Sequence, residues 1–114
     1  RMTIKRVILE LGSGNDLHGG NYTKAGLRAV QDCLHHSSLS FLRVLEINPA
    51  SMLVEVTIGV QRPDLVDAVA IKASLPYGQV TVQAVKGGLD VPDEQAGDFA
   101  VIASAAVAVR LDLP

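Results

Sequence analysis

The chain has 114 residues, 48% of them hydrophobic and 19% charged, so it is long enough for one core and apolar enough to fold around it. Its formal net charge of -2, the lack of a basic patch and a content of two Tyr, two Phe and no Trp argue against nucleic-acid binding. A single cysteine excludes an intramolecular disulfide, and the longest apolar run, FAVIASAAVAV, is too short to span a bilayer. We therefore expect one domain spanning residues 1–114 of a soluble, cytoplasmic protein without a nucleic-acid or membrane partner.

The first two predicted elements are a strand and a helix separated by glycines. Residues 3–11, TIKRVILEL, are β-branched and aliphatic and end at Gly12, which predicts a strand. Residues 21–38 carry apolar side chains at helical spacing, and Asn21 or Thr23 can serve as the N-cap. One side of this helix is predicted to carry Gly26, Val30, Cys33 and Leu34, with Leu27 flanking it.

The rest of the chain alternates between strand and helix patterns. Strands are predicted at 41–47, 52–60, 79–85 and 99–113. A second helix is predicted from Pro63 to a stop at Pro76 and Gly78. Its buried stripe is expected at Val66, Val69, Ala70 and Ala73. The segment 90–98, DVPDEQAGD, is predicted to be an acidic loop.

This order of elements favours an α+β two-layer sandwich, with about five mainly antiparallel strands and two helices on one face of the sheet. The last strand is apolar on both of its faces. One face carries Phe99, Val101, Ala103, Ala105, Val107, Val109 and Leu111, and the other carries Ile102, Ala106 and Ala108. Because two helices cover one face, we expect a second copy of the chain to cover the other, which predicts a homo-oligomer.

Residues 9–26, LELGSGNDLHGGNYTKAG, concentrate five glycines, one Asp and one His between two apolar segments. Asp16 and His18 lie two residues apart and are predicted to project from the same side of an extended backbone. The carboxylate then fixes the tautomer of the imidazole, as acid-base catalysis requires. The surrounding backbone amides are a candidate anion-binding site, formed by Gly12, Ser13, Gly14, Asn15, Gly19 and Gly20.

Asp16 and His18 are equally candidate metal ligands, and the sequence leaves open whether a metal or another cofactor binds. A third ligand would come after folding from Glu10, His35, His36 or the acidic loop, in the same or a neighbouring subunit. The structural alternative is that Asp16 caps backbone amides of the turn and His18 satisfies a carbonyl. Neither a dinucleotide-binding loop nor a Walker loop fits the spacing of the glycines.

The motif GxGxDxHG is complete in Gly12, Gly14, Asp16, His18 and Gly19. It resembles the hallmark of a small family of uncharacterised conserved proteins, which are bacterial and have plant relatives with a long amino-terminal extension. The length of this chain resembles that of the bacterial members, with Met2 as the expected start. The resemblance implies that the bend is the functional or structural centre of the family, and it supplies no substrate.

From these observations we predict a small-molecule enzyme whose site is the Gly12–Gly20 bend. Asp16 and His18 act there in acid-base or metal-assisted chemistry on a small anionic or carbonyl-bearing molecule. The alternatives are a non-catalytic ligand-binding module and a structural homo-oligomeric protein in which Asp16 and His18 pin the loop.

Overall fold

The computed structural model describes residues 3–35, 48–75 and 78–113. The strands are β1 (Thr3–Asp16), β2 (Leu53–Val60), β3 (Gln79–Lys86), β4 (Leu89–Asp93) and β5 (Asp98–Leu113). The α-helices are α1 (Tyr22–His35) and α2 (Ala68–Ala73), and single 3₁₀ turns at Pro49–Ser51 and Pro63–Leu65 precede β2 and α2. The strand predicted at 41–47, the end of the first predicted helix and His36 lie outside the described residues.

The five strands form one sheet in the order β1-β5-β2-β3, with β4 also paired to β5. β5 is the central strand, because it pairs antiparallel with β1 along one side and with β2 and β4 along the other. β2 and β3 run parallel and are connected through α2. The structure confirms the predicted α+β architecture with a mostly antiparallel sheet and two helices.

The core lies between the helices and the inner face of the sheet. The inner side chains of β2 alternate as predicted, since Val54, Val56, Ile58 and Val60, together with Met52 just before the strand, are all at most 3% exposed. The predicted inner face of β5 is buried from Val101 to Leu111. On α1, the buried side chains include Ala25, Ala29, Val30 and Cys33. Ile71 of α2 meets the same cluster, since a Cβ on Gly26 of α1 would lie 3.0 Å from its Cδ1.

The first strand does not end at Gly12, as the sequence analysis predicted, but continues to Asp16. Gly12 and Gly14 lie inside β1 and face the backbone of α1. A Cβ on Gly12 would lie 2.7 Å from the amide nitrogen of Cys33, and one on Gly14 would lie 2.6 Å from the carbonyl oxygen of Ala25. These glycines therefore allow α1 to pack closer to the strand than any other residue would permit.

The second predicted helix is shorter than expected, and its predicted stripe is partly wrong. α2 begins after Asp67, whose carboxylate accepts a hydrogen bond from the amide of Ala70 at 3.1 Å and acts as the N-cap. This late start turns Ile71 into the core, while Val69 is 77% exposed. Val66 precedes the helix and packs against the edge of the core.

The segment predicted to be an acidic loop is also different. Residues 89–93 form β4, and residues 94–97 form the turn of a β4–β5 hairpin. Pro92 is tolerated because β5 is the one neighbour of β4 among the described residues. A proline nitrogen that faces away from β5 takes part in no ladder hydrogen bond in this part of the chain.

The outer face of the sheet, opposite the helices, exposes large apolar side chains. They are Leu9 and Leu11 on β1 and Leu89 and Val91 on β4, each at least 44% exposed. Their β5 partners Ala108, Ala106, Ile102 and Ala100 are small or apolar as well. Among the described residues, no helix is long and apolar enough to cross a membrane.

The close packing of α1 on β1 predicts that Gly14→Ala lowers the free energy of unfolding by about 1–3 kcal/mol, the usual cost of overpacking. Gly59→Ala is the matched control in β2, because its Cβ would meet Gly87 at an ordinary 3.4 Å. Urea unfolding of both variants measures the difference. Equal stability of the two variants would show that the helix is free to move away from the strand.

Candidate functional site

The connection between β1 and α1 is a tight bend at residues 17–21. Gly19 and Gly20 have φ values of 89° and 59°, in the left-handed region that favours glycine. Gly20 also lies against the ring of Phe99, since a Cβ there would meet the ring carbons at less than 3 Å. Phe99, near the start of β5, therefore packs against the bend and supports it.

Asp16, at the end of β1, is buried and 4% exposed. Its Oδ2 accepts a hydrogen bond from the amide of Asn21 at 2.9 Å, and its Oδ1 lies 3.7 Å from Lys24 Nζ and 3.8 Å from Arg28 Nη1. Asn21 in turn caps α1, because its Oδ1 accepts from the amide of Lys24 at 3.0 Å. Asp16 thus fastens both ends of the bend to the first turns of α1.

His18 turns away from Asp16 and has a side chain that is 72% exposed. Its Nδ1 lies 3.6 Å from Oδ2 of Asp98, the first residue of β5. The amide of Gly19 donates to the same oxygen at 3.3 Å. The described contacts therefore pair His18 with Asp98 and not with Asp16, because the extended backbone ends at Asp16 and the two-residue alternation stops there.

Asp93 completes a three-residue cluster with His18 and Asp98. One ligand atom from each of the three side chains lies within 4.8 Å of the other two. Asp93 and Asp98 are cross-strand partners in the β4–β5 hairpin, and like charges in directly opposite positions destabilise a sheet. Oδ1 of Asp98 is shielded from solvent and accepts no hydrogen bond from any described residue. We call these three residues the His-Asp cluster.

Each carboxylate of the His-Asp cluster also has a structural role. Oδ1 of Asp93 accepts from the amides of Gln95 and Ala96 at 3.1 and 3.2 Å and so holds the hairpin turn. Asp98 anchors the bend through the amide of Gly19. The Asp98 oxygen that accepts from Gly19 is the same Oδ2 that lies 3.6 Å from Nδ1 of His18, and Oδ1 of Asp98 is the shielded oxygen without a described partner.

The other predicted site residues lie apart from the His-Asp cluster. The amide of Ser13 donates to the Asp32 carboxylate at 3.0 Å, and the carbonyl of Asn15 accepts from Arg28 at 2.7 Å. Anion binding by these backbone groups stays a prediction. Several sources were predicted for a third metal ligand. The acidic segment 90–98 supplies Asp93 and Asp98 beside His18, whereas the described cluster includes neither Glu10 nor His35.

An open groove of about 560 Å³ runs along the His-Asp cluster, between the bend and the hairpin. Its lining residues are Leu17, His18, Val91, Pro92, Asp93, Glu94, Gln95 and Ala100. The groove thus places His18 and Asp93 next to apolar side chains and opens both to solvent.

Tyr22 and Asp90 tie α1 to β4 beside the bend, and sequence reasoning missed this contact. The hydroxyl of Tyr22 donates to Oδ2 of Asp90 at 2.6 Å, and its ring centroid lies 6.1 Å from that of Phe99. Burial first, and then the Asp90 carboxylate, raise the pKa of Tyr22 to about 12. Tyr22 therefore stays a neutral hydrogen-bond donor over the whole physiological pH range.

The fold and the cluster define a class of α+β sandwich proteins. In this class the glycine-containing connection from β1 to α1 lies beside the acidic β4–β5 hairpin. The chain belongs to the Lin0512 family of conserved hypothetical proteins, whose family model matches residues 6–109. It is similar to the crystal structure of an FtsZ-like protein of unknown function from Nostoc punctiforme, with 32% sequence identity and a TM-score of 0.82. That match covers 98% of this chain and 99% of the Nostoc chain. No curated protein gives a significant match.

The contacts of Asp16 predict that Asp16→Asn lowers the free energy of unfolding by about 1–3 kcal/mol, because the amide loses the charge that Lys24 and Arg28 face. Asp112→Asn, at an exposed position near the end of β5, is the control and should change it by less than about 0.5 kcal/mol. Denaturant unfolding measures both. A stable Asp16→Asn variant would return Asp16 to the candidate catalytic residues.

Proposed function

We propose that the chain is a cytoplasmic small-molecule enzyme whose site is the His-Asp cluster and whose chemistry is assisted by a divalent cation. The observation that carries the proposal is the convergence of His18, Asp93 and Asp98 within 4.8 Å, from two segments far apart in the chain. The shielded Asp98 oxygen without a described partner supports it, because a buried carboxylate oxygen is costly unless a donor or a cation satisfies it.

The charge of the site favours metal assistance over direct binding of an anion. Asp93 and Asp98 belong to the cluster, and Glu94 lies beside them in the groove. Three carboxylates repel a small anion, whereas a bound cation neutralises them and attracts it. His18 retains the central position that the sequence analysis gave it, but Asp16 moves from the chemistry to the support of the bend.

The donor set selects among cations. One imidazole nitrogen and two carboxylate oxygens suit Zn²⁺ or Mn²⁺, whereas Mg²⁺ and Ca²⁺ prefer oxygen ligands alone. Three protein ligands leave coordination positions for water or substrate. A metal held in this way supplies Lewis-acid chemistry. The amide of Gly19, bonded to Asp98, orients that ligand from the bend, as supporting contacts do in metal sites.

Metal binding tests the proposal directly. Protein purified without a metal-affinity tag should bind one Zn²⁺ or Mn²⁺ per chain, measured by elemental mass spectrometry and calorimetry. His18→Ala and Asp98→Asn should weaken binding by at least about 100-fold, because losing even a supporting contact to a ligand costs 10–100-fold. His35→Ala, in the last turn of α1, is the matched histidine control and should bind like wild type. Unchanged binding in both cluster variants would refute the site.

A non-catalytic binding module at the same cluster is the alternative function. The groove and the cluster favour it as much as they favour an enzyme, because neither depends on turnover. A screen would first find metabolites that raise the melting temperature of the metal-loaded protein. A product assay on each of them then separates a binding module from an enzyme, since only an enzyme forms a product.

The partner that we propose is a second copy of the chain, on the part of the outer face around Leu9 and Leu11 of β1, which leaves Val91 of β4 open to solvent. The support is the row of exposed side chains on that face, which includes Leu9 and Leu11 next to the small residues of β5. An apolar surface of this kind is typical of an interface.

Light scattering at micromolar concentration should therefore show a dimer or larger oligomer. Leu11→Asp should shift it to the monomer, because two copies cannot bury the added charge against each other. Leu65→Asp is the matched control, because Leu65 is also exposed, at 54% against 67% for Leu11, and lies outside the sheet. A monomeric wild-type protein would exclude this interface.

A further inference from the structure

The groove beside the His-Asp cluster has two chemically different ends. His18 and Asp93 form its polar end. Leu17 and Val91 lie at its apolar end, and they are 60% and 45% exposed although both are large aliphatic residues. We call this pair, together with Pro92 and Ala100, the apolar wall.

The groove has room for a small organic molecule beside the His-Asp cluster. It is wide open to solvent and has a volume of about 560 Å³. A fully polar ligand would leave the apolar wall in contact with water. A ligand with an apolar body would remove Leu17 and Val91 from solvent, and burial of apolar surface is favourable in proportion to its area.

We propose that the substrate class of this site is small carboxylic acids with an aliphatic body, whose carboxylate meets the cation and whose chain lies on the apolar wall. This inference rests on the proposed function, because the carboxylate needs a cation to approach Asp93 and Asp98. The two ends are close enough for one molecule to reach both, since Leu17 is adjacent to His18 and Val91 lies two residues before Asp93.

A different ligand chemistry would fit the same charges without a metal. An alkylammonium ion could place its positive head directly between the carboxylates of Asp93 and Asp98. The proposed function favours the carboxylic acid, because a cation held between Asp93 and Asp98 takes the place of an ammonium head and repels it. The experiment separates these two ligands.

The experiment titrates Mn²⁺-loaded protein of measured metal content with acetate, butanoate, hexanoate and octanoate in a calorimeter. Affinity should rise with chain length, by up to about fourfold for each added methylene group. Leu17→Ser and Val91→Thr should weaken hexanoate binding by up to about tenfold and flatten the dependence on length while Mn²⁺ affinity stays unchanged. Leu65→Ser, an exposed leucine away from the groove, should behave as wild type.

The outcomes distinguish the two proposals. Protein that holds Mn²⁺ but binds acetate and octanoate equally, or binds neither, overturns the substrate class and leaves the metal site standing. Protein that takes up no Mn²⁺ or Zn²⁺ overturns both. Tighter binding of hexylamine to metal-free protein than of hexanoate to loaded protein would assign the groove to cations instead.

Discussion

The close contact between α1 and the end of β1 is the constraint on which the site depends. Gly12 and Gly14 bring the helix backbone to a distance that would overlap any Cβ on the strand. The chain must then reverse direction within residues 17–21, and Gly19 and Gly20 supply the left-handed conformations that this reversal requires. The glycines of the motif therefore have two separate tasks, packing in the strand and turning in the bend.

The same contact separates the two polar residues of the motif. Because β1 stays extended to its last residue, Asp16 points under α1, where Lys24 and Arg28 neutralise it. His18 comes after the reversal begins, so it points into solvent and meets Asp98 of β5. The motif thus joins a residue that supports the bend to a residue whose side chain is exposed to solvent. The spacing of the motif suggests that Asp16 and His18 form a pair, whereas the course of the backbone places the two side chains in different environments.

The sequence was a good guide wherever burial follows a simple period. The alternation of β2 and β5, the buried side of α1 and the N-cap at Asn21 were all predictable, because hydrophobic pattern and capping are local properties. Local signals failed for β4, where Pro92 and the acidic residues hide a strand that exists through its pairing with β5. The carboxylate partner of His18 was unpredictable for the same reason. The partner depends on which residues of the hairpin lie opposite each other. This register cannot be read from the local pattern of a single sequence.

That register gives the strongest physical reason to regard the His-Asp cluster as a site. A hairpin closed by Asp93 opposite Asp98 carries a like-charge pair at the position where an opposite-charge pair would stabilise it. The bend adds a histidine to these carboxylates and supplies one described amide, that of Gly19, to Asp98. Turn formation explains one oxygen of Asp93, and anchoring of the bend explains one oxygen of Asp98. Neither explains why one ligand atom from each of His18, Asp93 and Asp98 lies within 4.8 Å of the other two, and the cation proposed above would account for that convergence and for the like-charge pair together.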